Sequence, residues 1–498
     1  MNKKVFRPFF LVIAIVLILI FNKEEYANAE NITKDLATNT TFTDMVNKGD
    51  TIWYKVTMDN SGYFTINLKP HNIADSVNAS WTLRLYDDRA NEITYWYGYS
   101  NIESCKISTT KGDVYYVTIE RYKNTDIFYD LEIINVADGT WEIENNNSQN
   151  TATVFESNNS VKGMIMGKGD VDWYQFTMPS TKGYVQFVLD KDVTINEKWG
   201  MVILDETGNE IKSYYGEGIT SHVLPYKTGT KLYVKIYAYN NGAMWNEYKI
   251  TPSFTKDSLW ESEDNNTEKT ATPLDFGTEK VYKGLVQDQV DGTDVDYYKF
   301  SITGEKKGET KSFKKVEINF GPDQISSKGT WKVELINSDG KAVELFRSDT
   351  KSSYQCYLKK GTYYLKVTAY YSDARNIIYT VNVKSTTVSK PTIELKSIKI
   401  TRNSSWSGAE GICKLSKLTK GITEFMIYWS DSSNMKDASS KSFSSTTKTF
   451  NFNLGKYWQN AGSAYFQVSA LIRDPFGNQL YESARTKALK VSHSKSSW

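Results

Sequence analysis

A short block recurs three times along this chain and sets its architecture. It reads Gly49-Asp50-Thr51-Ile52-Trp53-Tyr54, then Gly169-Asp170-Val171-Asp172-Trp173-Tyr174, then Asp294-Val295-Asp296-Tyr297-Tyr298. The tyrosines that close the blocks, Tyr54, Tyr174 and Tyr298, are 120 and 124 residues apart. A period of that size is one small domain, so the sequence reads as a row of homologous modules. Function is then to be sought in what a repeated module does.

Other elements recur in register. Trp81, Leu83 and Leu85 alternate with polar residues, as do Trp199, Met201 and Ile203, and Trp331, Val333 and Leu335. Side chains at i, i+2 and i+4 of a strand share one face. Turn signals follow, such as Gly208-Asn209 and Asp339-Gly340, where glycine supplies the positive φ of a hairpin. Aromatic residues reach 14% of the chain, and no long helical period follows residue 30. Short alternating strands with turns between them predict an all-β fold of antiparallel β-sandwiches, one for each of the three modules. From about Pro391 the repeat stops, but strand-like runs such as Phe425–Trp429 and Ala464–Ile472 continue. They predict a fourth sandwich of immunoglobulin or fibronectin-III type. The expected divisions are 1–29, 30–138, 139–256, 257–388 and 389–498.

The first 29 residues read as a signal peptide. Lys3, Lys4 and Arg7 precede an apolar run from Phe9 to Phe21, and Ala27-Asn28-Ala29 offers a cleavage site before Glu30. An uncleaved N-terminal anchor is the other reading. Removing this segment leaves 56 Lys/Arg and 56 Asp/Glu, a formally neutral secreted chain without a basic stripe for nucleic acid or a polybasic membrane patch. Three cysteines, Cys105, Cys356 and Cys413, lie in different modules and read as free thiols rather than a disulfide framework.

Two acidic segments lead into the second and third modules: Trp141-Glu142-Ile143-Glu144-Asn145-Asn146-Asn147 and Trp260-Glu261-Ser262-Glu263-Asp264-Asn265-Asn266. In an extended segment Glu142, Glu144 and Asn146 lie on one side, and the same parity groups Asp170 with Asp172. If the two segments converge, they gather four carboxylates and one or two amide oxygens. That donor set suits Ca²⁺, which takes six to eight oxygens, and lacks the His or Cys that Zn²⁺ prefers. Without a cation such a gathering would repel itself and raise its pKa values. The alternative is a pair of separately solvated acidic turns.

These segments, Glu-x-Glu-x-Asn-Asn followed by Asp-Val-Asp-Trp/Tyr-Tyr, resemble the bacterial pre-peptidase C-terminal domain family, which includes the collagen-binding domains of clostridial collagenases. The resemblance spans roughly residues 30–385, is specific in the second and third modules, and implies that the three sandwiches are jelly-roll-like. It implies a calcium site formed by Glu142, Glu144, Asn146, Asn147, Asp170 and Asp172, and another formed by Glu261, Glu263, Asn265, Asn266, Asp294 and Asp296. Asn147 and Asn266 stand where the family usually has Asp, which lowers the ligand charge. The first module lacks the paired glutamates and has Ile52 in place of the second aspartate, so the same fold is expected there without the ion.

Parity points Tyr54, Tyr174 and Tyr298 inward and Trp53, Trp173 and Tyr297 to the opposite face, where they either stack on a ligand or pack beneath a neighbour. The run Thr94-Tyr95-Trp96-Tyr97-Gly98-Tyr99 reads equally as a binding patch or as cross-strand pairing. No His-Glu-x-x-His or Gly-x-Ser-x-Gly motif occurs, and catalysis is not expected. The resulting expectation is a secreted binding protein, stiffened by calcium, that recognises an extracellular protein such as a collagen-like polymer, or a polysaccharide. A structural or accessory role in the cell envelope or in a secreted enzyme or toxin complex is the alternative.

Overall fold

The computed structural model describes residues 33–47, 49–71, 80–122, 127–190, 197–287, 294–303, 313–324, 329–386, 391–402, 409–420, 422–455 and 463–492. The expected signal segment lies outside them. The chain forms two compact units, one holding the first and second sandwiches and the other, from Leu259, holding the third sandwich and the tail. No helix among the described residues is long and apolar enough to cross a membrane.

The three sandwiches share one strand order. In the second, a sheet runs Thr153–Val154, Asp172–Thr177, Lys231–Ala238, Trp199–Leu204, Glu210–Gly216. It faces a sheet of Val161–Met164, Glu247–Lys256, Gly183–Leu189 and Ile219–Thr220. The first sandwich repeats this with Lys34–Leu36, Thr51–Thr57, Val114–Tyr122, Ser80–Tyr86 and Glu92–Gly98. The third does so with Thr272–Pro273, Asp296–Ile302, Gly361–Ala369, Trp331–Asn337 and Ala342–Ser348. In each sandwich the short leading strand pairs parallel with the strand that carries the repeated block: Lys34 lies opposite Tyr54, Thr153 opposite Tyr174 and Thr272 opposite Tyr298.

Alternation explains the cores. Trp81, Trp199 and Trp331 are fully buried with their i+2 and i+4 neighbours, and each packs between the two sheets of its sandwich. The hairpins that follow turn on Gly208 (φ 85°) and Gly340 (φ 75°), as the sequence requires.

The tail forms a three-stranded sheet, Ile393–Arg402, Ala409–Leu418 and Thr449–Gly455, opposite a second sheet centred on Glu424–Ser430 and Ser463–Arg473. Phe425, Ile427, Phe466 and Val468 fill the space between them. Two phenylalanines cross between the tail and the third sandwich. Phe476, from a tail turn, joins the third sandwich's core and lies parallel to Tyr363 at 6.4 Å. Phe313, from the third sandwich, joins the tail core beside Tyr481. The three cysteines are free, and burial pushes their thiols up to about 11 for Cys105 and about 12 for Cys356 and Cys413.

Candidate metal centre

The segment that begins at Trp141 joins the second sandwich through an isolated parallel bridge between Trp141 and Lys162. The Glu142 amide donates to Lys162 O at 2.8 Å, and the Lys162 amide returns a bond to Thr140 O. This lays Glu142 against the mouth of the sandwich, fully buried. Its Oε1 accepts from the Met164 amide at 2.8 Å and from Ser108 Oγ at 2.8 Å. Its Oε2 accepts from Tyr174 Oη at 2.9 Å, Tyr248 Oη at 3.2 Å and Asn146 Nδ2 at 3.2 Å. Tyr248 Oη also lies 2.5 Å from Asp172 Oδ2, and its one proton is shared between these contacts.

The third sandwich repeats the arrangement. Glu261 accepts from the Leu285 amide at 2.7 Å, from Tyr298 Oη at 2.8 Å and from Asn265 Nδ2 at 3.1 Å. Tyr379 Oη lies 2.5 Å from Asp296 Oδ2. Glu142, Glu144 and Asp172 each bring a carboxylate oxygen within 4.8 Å of the others, and Glu261, Glu263 and Asp296 do the same.

What separates these clusters from a closed hydrogen-bond network is what is left over. Glu144 Oε1, Asn146 Oδ1 and Asp172 Oδ1 are buried without a hydrogen-bond partner. So are Glu263 Oε1, Asn265 Oδ1 and Asp296 Oδ1, the same three atoms in the next copy. A buried acceptor without a donor costs about 1–3 kcal/mol. Three such oxygens in one place, twice over, fit a hard cation that takes oxygen ligands.

The electrostatics agree. Burial, then the charges of Glu142 and Asp170, push Glu144 up to about 9. Burial also raises Asp172 well above its ordinary range, with Glu142, Glu144 and Asp170 adding to it. Glu261 rises to about 8, mainly through burial, and Glu263 and Asp296 stand well above the usual carboxylate range for the same reason.

The remaining expected ligands occupy other places. Asn147 Oδ1 accepts from the Val171 amide at 3.0 Å, and Asn266 Oδ1 from the Val295 amide at 2.8 Å. These amides clip the leading segment to the acidic strand, and an asparagine oxygen does that as well as a carboxylate. Asp170 Oδ2 accepts from the Met166 amide at 2.5 Å, and Asp294 accepts from the Gln287 amide. Both aspartates close the local turn, and their charges add to those of the clustered carboxylates.

Glycine permits the arrangement. A Cβ on Gly163 would lie 2.5 Å from Glu142 Oε2 and 2.5 Å from Tyr248 Oη, and one on Gly284 would meet Tyr298 Oη at 2.1 Å. The first sandwich has Asp44 at this position, opposite Tyr129 as Gly163 is opposite Tyr248. Asp44 Oδ2 accepts from Tyr54 Oη at 2.6 Å, taking the place of the absent glutamate. Lys34, at the position of Thr153 and Thr272, brings its ammonium onto Asp44. Burial opposes ionisation of Asp44, but hydrogen bonds from Lys34, Tyr54 and the Met45 amide outweigh it and hold the carboxyl below its usual range. Sequence reasoning missed Asp44, Lys34, Tyr129, Tyr248, Tyr379 and Ser108. Only strand pairing brings them to the mouth.

The aromatic residues divide. Trp53, Trp173 and Tyr297 lie on the outer sheet face but are half-buried. Trp53 packs on Tyr86 at 4.9 Å, while Lys235 and Lys366 lie across Trp173 and Tyr297 at 5.9 Å. These lysines are the direct cross-strand partners of the rings, so the sheet itself covers them. Trp96 turns inward and packs on the first core. Tyr95 and Tyr97 stand out from the edge strand and Tyr99 from the bend after it, 57%, 53% and 59% exposed. Tyr97 meets Tyr99 edge-on at 5.5 Å, and Arg84 lies against Tyr95.

No family model and no curated protein matches the sequence. Among solved structures, the chain is similar to the pre-peptidase C-terminal domain of a collagenase from Bacillus anthracis. The identity is 22% over 20% of this chain and 93% of that one, with a TM-score of 0.17. It is also similar to the FN1–FN3 domains of chicken CNTN1, at 11% identity over 64% of this chain and 97% of that one, with a TM-score of 0.21. A glycoside hydrolase domain, Endo-D from Streptococcus pneumoniae R6, aligns at 15% identity over 43% of this chain and 32% of that one, with a TM-score of 0.16.

Proposed function

We propose that this chain is a secreted, non-catalytic binding protein in which Ca²⁺ at the mouths of the second and third sandwiches fixes the leading segments, and whose exposed surface recognises an extracellular polymer. The repeated trio of buried, partnerless oxygens carries the cation reading. Glu144, Asn146 and Asp172 would hold one ion, Glu263, Asn265 and Asp296 the other, with Glu142 and Glu261 anchored beside them. A bound divalent ion supplies the positive charge that lets these carboxylates stay ionised in a buried site. The tyrosines at each mouth hold carboxylate oxygens by hydrogen bonds and leave the others open.

Calorimetric titration of the metal-stripped chain tests this: uptake of two Ca²⁺ is expected, and no heat defeats it. A pH series gives a second check. A carboxyl whose pKa is raised on folding favours the folded state while it is protonated. For Glu144 that contribution is complete below its ordinary value of 4.5 and is lost as pH rises through about 9. In chelator, the second sandwich should therefore lose melting temperature between pH 5 and 9. Ca²⁺ displaces the protons and binds more tightly over the same range, so the gap between the calcium and chelator curves should widen. A gap that narrows as pH rises would count against the assignment.

For the polymer, the Tyr95–Tyr97–Tyr99 ridge supports the reading. Alternate residues of a strand are about 7 Å apart, so Tyr95 and Tyr97 stand in line. The Tyr99 ring in the bend that follows meets Tyr97 at 5.5 Å, extending a strip that suits sugar or proline rings. The target class is a collagen-like protein or a polysaccharide, held by weak contacts that gain from multivalency. In a co-sedimentation assay with insoluble collagen and insoluble polysaccharide, Tyr97→Ala should cut retention about tenfold, roughly 1.4 kcal/mol. Equal retention of variant and parent would remove this surface from consideration. Recovery of one stoichiometric protein from culture medium, with no retention on either polymer, would favour an accessory role.

A further inference from the structure

The two cation clusters differ in one respect. Glu261 takes its donors, the Leu285 amide, Tyr298, Tyr379 and Asn265, from its own sandwich. Glu142 takes one from another: Ser108 lies on the strand Ile107–Thr109 of the first sandwich. Its hydroxyl is fully buried and accepts from Trp141 Nε1 at 2.7 Å. An indole nitrogen can only donate, so the single hydroxyl proton of Ser108 must point at Glu142 Oε1. The sense of this bond is thereby fixed, and it favours the ionised form of the carboxylate.

The residue just past this strand touches the next carboxylate-bearing residue, because Thr110 Oγ1 donates to the Glu144 carbonyl O at 3.2 Å. Around them Tyr63 packs on Trp141 at 4.8 Å, and Lys106 pairs with Glu247 at 2.6 Å. In the second sandwich, Leu224 opposite Val185 matches Ile107 opposite Phe64, which puts Pro225 in the place of Ser108. Proline has no side-chain donor to offer in that place.

We propose that the cation site of the second sandwich is completed by the first sandwich, with Ser108 as a positioning residue for Glu142, so that ion binding and docking of these two sandwiches form one coupled equilibrium. This rests on the reading that the cluster holds a divalent cation. Partners that orient a metal-site carboxylate typically contribute 10–100-fold in affinity when present. Coupling between binding and docking is reciprocal.

The test is calcium titration of the full-length chain with the third site disabled by Asp296→Asn. Adding Ser108→Ala should weaken the remaining site about 10–100-fold. In the converse background, Asp172→Asn, the same change should leave the third site within about twofold, which separates positioning from general misfolding. Equal affinity at the second site with and without Ser108 overturns the proposal and leaves the cation reading standing. Absence of calcium uptake by the unmutated chain overturns both. Hydrogen exchange on the unmutated chain gives a readout that needs no variant: Ca²⁺ should slow exchange of the amides from Ile107 to Val114 together with those from Glu142 to Asn147. Protection confined to the second group would also overturn it.

Discussion

Asp172→Asn should change the sign of its effect with the solution. In chelator at neutral pH the variant should melt higher than the parent, and in excess Ca²⁺ it should melt lower. Asp172 is fully buried among Glu142, Glu144 and Asp170, so without an ion its charge is unfavourable. Asparagine keeps an oxygen to accept from Tyr248, and its amide can donate toward the open oxygens of Glu144 and Asn146. Satisfying one such buried acceptor gains about 1–3 kcal/mol. In calcium the variant loses a charged ligand. An ion at a thousand times its Kd stabilises the folded form by about 4.1 kcal/mol, and most of that should go. Thermal melts of parent and variant in both solutions decide the matter. A variant less stable than its parent in both would show the cluster to be an ordinary hydrogen-bond network.

Trp199→Ala should unfold the second sandwich at markedly lower denaturant, costing about 3–5 kcal/mol. Trp199 is fully buried and meets the Tyr248 ring edge-on at 5.1 Å. Tyr248 carries its hydroxyl to Asp172 and Glu142, so the cavity would also free the residue that aims these carboxylates. Calcium affinity at this site should fall with stability, while the third site, built around Trp331 and Tyr379, should be unaffected. Denaturant titration with a probe in each sandwich would show it. A loss below about 1 kcal/mol would mean the core closes around the gap.

Much of this was legible because it is local. Trp81, Leu83 and Leu85 advertise a buried face through their spacing alone, and Glu142 and Asp172 advertise themselves through carboxylates repeated at matching places. The tyrosines that hold those carboxylates were not legible. Tyr248 is 106 positions from Glu142, and nothing beside it marks it as different from other strand tyrosines. The division of labour between Asn146 and Asn147 was equally hidden: adjacent, chemically identical side chains point to opposite tasks, one oxygen left open and the other used on the Val171 amide. In the first sandwich the replacement of a glutamate by Asp44, on another strand, could be seen only once Asp44 was found opposite Tyr129. Trp96 reads like Tyr95 and Tyr97 as an aromatic, yet strand alternation alone sends it to the core.

The phenylalanines exchanged between the third sandwich and the tail have a mechanical consequence. Phe476 seats beside Tyr363, and Phe313 seats beside Tyr481. The Lys341 ammonium also holds the Phe476 carbonyl, so the latch has a polar catch as well as two apolar bolts. A chain cut near residue 390 would leave one socket empty and one bolt wet, and would be prone to stick to its own kind. Traction on the C-terminal end would have to withdraw both rings before the third sandwich could separate from the tail, so this joint should yield late under load.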